Sequence, residues 1–182
     1  MSNWTRRAFI GAAGATAACS ATGISRNKSS IDASVAQARR ELFNAVPGTE
    51  ALASRAAGVL IMPEVTKAGL MVGGAYGEGA LMIGNATVDY FSFSGASFGL
   101  QIGVQKYSHA LFFMTPEVLA NFRYADGWEL GVDAEYALQE EGMSVGVTTG
   151  TINLPVYAVV FSQRGLIIGA TLEGAKYSRL IR

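Results

Sequence analysis

The residues that could do chemistry are few and far apart. His109 is the only histidine and Cys19 the only cysteine. Ser108 and Ser97 are available to His109 for a Ser-His-Asp arrangement, but no Gly-x-Ser-x-Gly elbow occurs to present a nucleophile. A metal at His109 would need carboxylate or backbone partners, since no second histidine and no structural cysteine exists to complete a zinc set. Glu78, Asp133 and Glu135 could form a carboxylate site, although Asp133 and Glu135 share an alternating register with Glu129 and read more simply as a solvated strand face. The stretch Gly69–Gly84, GLMVGGAYGEGALMIG, could cradle a phosphate. A dinucleotide loop needs a third glycine and a following helix; here Gly77-Glu78-Gly79 runs into Ala80-Leu81-Met82, another strand-like segment. No Gly-Lys-Ser/Thr exists for a Walker loop. Glycines at 69, 73 and 77, and again at 99 and 103, are expected instead to permit bending or close approach of neighbouring backbone. Lys67, just before the run, is the cation that could meet a phosphate group, or else is an exposed turn lysine. The chain is expected to be non-catalytic and to need no cofactor.

The elements that hold these residues follow from periodicity. Ile31, Val35, Ala38, Leu42 and Val46 recur at steps of three and four, which predicts an amphipathic helix from Ser30 as N-cap to the stop at Pro47-Gly48. A short second helix is expected over Glu50–Ala57, and a third over 116–122 with Thr115 as cap and Pro116 at the first helical position. Strand patterns follow at 59–62, ended by Pro63, then at 69–76, 79–84, 87–93, 98–104 and 109–114. Further strands are expected at 128–138, 155–162 and 166–172, with a polar connection over 140–153 and a turn at Asp126-Gly127. The fold class expected is α+β: a strongly bent antiparallel sheet or barrel-like β core, with N-terminal amphipathic helices and a short internal helix.

The whole chain sets limits on partners. It has 182 residues, room for one domain with a real core. Half are hydrophobic and 15% charged, with a formal net charge of zero, which argues against nucleic acid as a partner. No run of eighteen apolar residues appears that would span a bilayer as a helix. The first residues are a targeting segment by resemblance. Thr5-Arg6-Arg7-Ala8-Phe9-Ile10 resembles the twin-arginine export signal, and Thr16-Ala17-Ala18-Cys19 resembles a bacterial lipobox with Thr where Leu is usual. Residues 1–18 are therefore expected to be removed, with Cys19 lipidated at the start of a tether over 19–29 and a domain over 30–182. Simple cleavage to a soluble periplasmic protein is the alternative. The mature chain carries twelve basic and fourteen acidic residues.

The body of the chain resembles the SYLF lipid-binding domain. The motifs that carry the resemblance are Ala57–Gly69 with Val72-Gly73-Gly74 and Tyr76–Gly79, then Ser97–Gly103, Met114–Glu117, Leu130–Asp133, Ser162–Leu166 and Leu172–Gly174, in that order from about residue 30 to the C-terminus. Eukaryotic members bind phosphoinositide membranes and in some cases actin, and bacterial members are exported. The resemblance implies a phospholipid membrane as partner. Without an adjoining SH3 or FYVE module, no cytoskeletal role is carried over. Arg39, Arg40, Leu42, Phe43 and Lys67 are the residues expected at lipid, with the 31–46 helix lying either on a bilayer interface or on the sheet. A protein-interaction module of the envelope, docking another envelope protein with no specific lipid site, is the alternative.

Overall fold

The computed structural model describes residues 27–140, 154–165, 172 and 174–181. Residues 1–26, with the segment that resembles an export signal and Cys19, lie outside that set, as do 141–153, most of the connection expected at 140–153, and the strand expected at 166–172 apart from buried Leu172.

Helix α1 spans Lys28–Ala45 and begins before the expected cap. Asn27 is the N-cap: its side-chain oxygen accepts from the Ser30 amide at 2.8 Å, while the Ser30 hydroxyl donates back to the Asn27 carbonyl at 2.9 Å. Helix α2 covers Thr49–Arg55 after Gly48, whose φ of 90° makes the corner between the two helices. Helix α3, Pro116–Tyr124, starts as the sequence indicates, with Thr115 accepting from the Val118 amide at 3.3 Å.

The six expected strands between residues 59 and 114 are two. Strand β1 runs Gly58–Ile83 and β2 runs Ala86–Phe113, paired antiparallel along their whole length. Pro63 does not end a strand. It falls in the register shift between Met62 and Val65, where a missing N–H breaks no regular ladder bond. The turn is Gly84-Asn85, with Gly84 at φ +60°. The long hairpin doubles back on itself. A Cβ on Gly77 would lie 2.7 Å from the Glu64 carbonyl oxygen, and one on Gly79 would overlap the Ile61 carbonyl oxygen and the Met62 sulfur. The two halves of one strand therefore meet backbone against backbone, as the glycine pattern implied for Gly77. Gly74 and Gly103 differ: among the described residues, neither has an atom within 4 Å of where its Cβ would be.

The remaining strands complete a strongly curled sheet. β3 (Trp128–Glu129) pairs with β6 (Lys176–Leu180), β6 with the first half of β2, β5 (Val156–Gly165) with its second half, and β4 (Tyr136–Glu140) with β5. The β4–β5 ladder is parallel, so the sheet is mixed where an all-antiparallel one was expected. The single strand expected over 128–138 is interrupted. Gly131 turns the chain at φ +85°, and the Asp133 carboxylate accepts from the Glu129 amide at 2.7 Å. Alternation along those residues thus reflects two short strands around a turn.

Successive residues of each strand supply opposite cores. Leu60, Met62, Leu111 and Phe113 join Phe91, Phe93, Phe122, Trp128 and Tyr177 inside the curl. Ile61, Ala110 and Phe112 face outward and meet Ile31, Val35, Ala38, Leu42 and Val46 of α1. Each large side chain so buried contributes about 1.5–3 kcal/mol, which fixes α1 on the sheet.

Candidate functional site

The sequence-picked catalytic groups are not assembled. His109 is fully buried; its Nε2 is 2.9 Å from the Tyr177 hydroxyl, and its ring sits 4.9 Å from that of Phe93. Burial lowers its pKa from the ordinary 6.5 to about 3, so it is neutral at any physiological pH. No carboxylate orients it: Nδ1 has no partner among the described residues. Ser108 lies on the opposite strand face and donates to the Pro63 carbonyl at 2.7 Å. The Ser97 side chain lies outside the described residues. Glu78 accepts from the Tyr76 hydroxyl at 3.0 Å, apart from the turn that holds Glu129 and Asp133; Glu135 is exposed. No group of three or more metal-ligating residues occurs among the described residues.

The sequence-picked lipid residues divide. Leu42 has no exposed surface and packs on the sheet, so bilayer contact there requires α1 to lift off. Arg39 donates from Nη1 to Asn85 Oδ1 at 2.9 Å and lies 5.3 Å over the Phe43 ring, clamping α1 to the hairpin turn. These three line a cleft of about 330 Å³ with Glu50, Val59 and Met82. Arg40 is exposed and lines no part of it; Lys67 is half-buried on the hairpin, opposite Gln105.

A larger concavity, about 840 Å³, lies where the domain's two ends meet. Lys28 comes from the first turn of α1, Arg123 and Tyr124 from the end of α3, and Lys176 and Arg179 from β6. Buried Asp89 on β2 organises it. Its Oδ2 accepts from Arg123 Nε at 2.7 Å and its Oδ1 from Arg179 Nη2 at 2.5 Å. Each arginine has five N–H donors and gives one to Asp89, so both guanidiniums are held in place with donors to spare. Lys28 Nζ sits 5.9 Å from the Tyr90 ring centroid. With Asp126, four cations face two carboxylates. Tyr124 (79% exposed), Val88 (37%) and Ile181 (99%) add apolar surface to the same rim. Cations interleaved with exposed apolar groups suit an anionic, amphiphilic ligand. Sequence reading missed this site because its members are scattered over 28, 89, 123–126 and 176–181; the one local signal is Lys176, Ser178 and Leu180 alternating with Tyr177 and Arg179.

Residues 94–179 match the Ysc84 family, described as Las17-binding protein actin regulator. The match, over just under half of the chain, is to a Ysc84 (SYLF) domain. None of the curated proteins compared matches it. The Ysc84 match runs from the middle of β2 into β6 and takes in three of the four cleft cations, Arg123, Lys176 and Arg179. Lys28, Arg39, Arg40, Leu42, Phe43 and Lys67 precede the matched stretch.

Proposed function

We propose that this protein is a non-catalytic phospholipid-binding module of the bacterial envelope, exported by its N-terminal signal and held to the membrane through Cys19. The observation that carries the reading is the terminal cleft, where Lys28, Arg123, Lys176 and Arg179 converge beside exposed Tyr124 and Ile181. Residues near a membrane surface gain about 1 kcal/mol per basic side chain from anionic lipid, so the cleft, where four cations outnumber the carboxylates of Asp89 and Asp126, favours such a surface although acidic residues slightly outnumber basic ones in the chain after residue 18. The Ysc84 assignment and the SYLF motifs support a binding role over a catalytic one. Position supports it as well. Asn27 lies eight positions after Cys19, a reach of at most about 28 Å, so an anchored Cys19 keeps the Lys28 end of the cleft close to the bilayer.

Co-sedimentation of the full, unacylated chain with phosphatidylglycerol vesicles tests this. Native protein is expected to bind with steep salt dependence, and the exposed double variant Lys28→Glu/Lys176→Glu to bind at least about tenfold more weakly. Equal binding by the two proteins would remove the cleft. No binding by either would favour the reading in which lipid contact comes only through Cys19 and the domain docks another envelope protein.

A further inference from the structure

Among the described residues, the middle of the β1–β2 hairpin stands apart from the rest of the sheet. The β6 ladder on β2 stops at Ser94 and the β5 ladder begins at Gln105. Between them β2 pairs only with β1 among the described residues, through Ala68↔Val104, Gly69↔Gly103, Met71↔Gly99, Val72↔Phe98 and Gly74↔Ala96. A two-stranded ribbon is marginal in water without a covered face. This one carries no charge: residues 68–75 and 95–104 contain no Asp, Glu, Lys or Arg, where the chain's 15% charge content would put about three. Several of its described side chains are open, while Ala75 packs partly against the core. Val104 is 57% exposed and Tyr76 51%; Ala68 and Ala96 are also exposed. Open space surrounds the Cβ positions of Gly74 and Gly103.

Cations collect where the ribbon ends. Lys106 sits opposite Thr66 and beside Arg164 in the ladder, next to Lys67↔Gln105; at the other end Lys176 pairs with Ser94. The carboxylates nearby are engaged: Glu64 takes Lys106 at 3.1 Å, Glu78 is buried and accepts from Tyr76, and Glu129 faces Lys176 across its ladder. Lys176 also lines the terminal cleft, so ribbon and cleft are contiguous.

We infer that this ribbon is a bilayer-entry element: it lies in the headgroup–acyl boundary of an anionic phospholipid membrane, with Lys67, Lys106, Arg164 and Lys176 at phosphate level. The inference rests on the lipid-binding reading above and names where the bilayer is entered. Penetration is shallow, because the outer edges of a two-stranded ribbon keep backbone N–H and C=O groups that hydrocarbon would leave unsatisfied. Uncharged, apolar surface with a cationic border is the pattern that gains from both acyl burial and anionic headgroups.

The test uses the full, unacylated chain carrying Val104→Trp and phosphatidylglycerol vesicles with brominated acyl chains. Emission from the indole introduced at position 104 should be quenched well beyond that of native protein, in which Trp4 and buried Trp128 set the background. Separately, Val104→Asp and Ala96→Asp, both at exposed positions, should each weaken vesicle partitioning about tenfold with an unchanged unfolding midpoint. Vesicle binding at native strength with no added quenching, and no loss in either Asp variant, would overturn the ribbon while leaving the lipid reading standing. Absence of vesicle binding by native protein would overturn both.

Discussion

The two stretches of glycine-rich strand in β1 carry the same residue type for opposite reasons. Around Gly77 and Gly79 the hairpin has doubled back, and a methyl group there would strike the Glu64 or Ile61 carbonyl. Around Gly74, a few residues earlier on the same strand, nothing among the described residues lies within 4 Å of the missing Cβ. The first stretch is glycine because backbone must touch backbone. The second is bare surface, and the residues beside it are uncharged. Composition alone cannot separate the two, because a glycine is silent about what occupies the space its side chain leaves. The lesson is that a glycine run should be divided by what each position faces before it is given one purpose.

Alanine substitutions grade that contrast. Gly79→Ala should have the largest effect, destabilising by about 3 kcal/mol or more, since the obstacles include main-chain atoms of Ile61 that cannot rotate away. Gly77→Ala should cost about 1–3 kcal/mol, because the Val65 methyl at 2.8 Å can shift while the Glu64 oxygen at 2.7 Å yields less. Gly74→Ala should change stability by less than about 0.5 kcal/mol, the ordinary range for surface positions. Urea unfolding of the three variants checks the order. A Gly74→Ala loss comparable to that of Gly79→Ala would erase the distinction between the regions.

Legibility in the sequence followed how local each signal was. The 3.6-residue pattern of Ile31, Val35, Ala38 and Leu42 fixed α1 and its buried face, and Thr115-Pro116 fixed the start of α3. The long strands were harder. Pro63 read as a strand end because it ordinarily breaks a ladder, yet a bulge absorbs it, and the segments expected at 69–76 and 79–84 are one strand because the doubled hairpin keeps Gly77 and Gly79 within it. Gly84-Asn85 was the turn that joins β1 to β2, and its short signal was hidden among other glycines. The parallel β4–β5 ladder has no local signature at all; it is decided by which chain segments meet. The same holds for the cleft. Lys67 and Arg39 stood out next to recognisable elements, whereas Arg123 and Arg179 become neighbours only through Asp89, 34 and 90 residues away in sequence.

Helix α1 and the ribbon are the rival membrane contacts, and hydrogen exchange followed by mass spectrometry, with and without phosphatidylglycerol vesicles, separates them in one measurement. Vesicles should slow exchange in peptides spanning 66–76 and 94–106 and in the cleft segment 176–181, while residues 31–46, already packed on the sheet, exchange as before. Protection gained over 31–46 with none over 66–76 and 94–106 would contradict the account and return the bilayer contact to the helix.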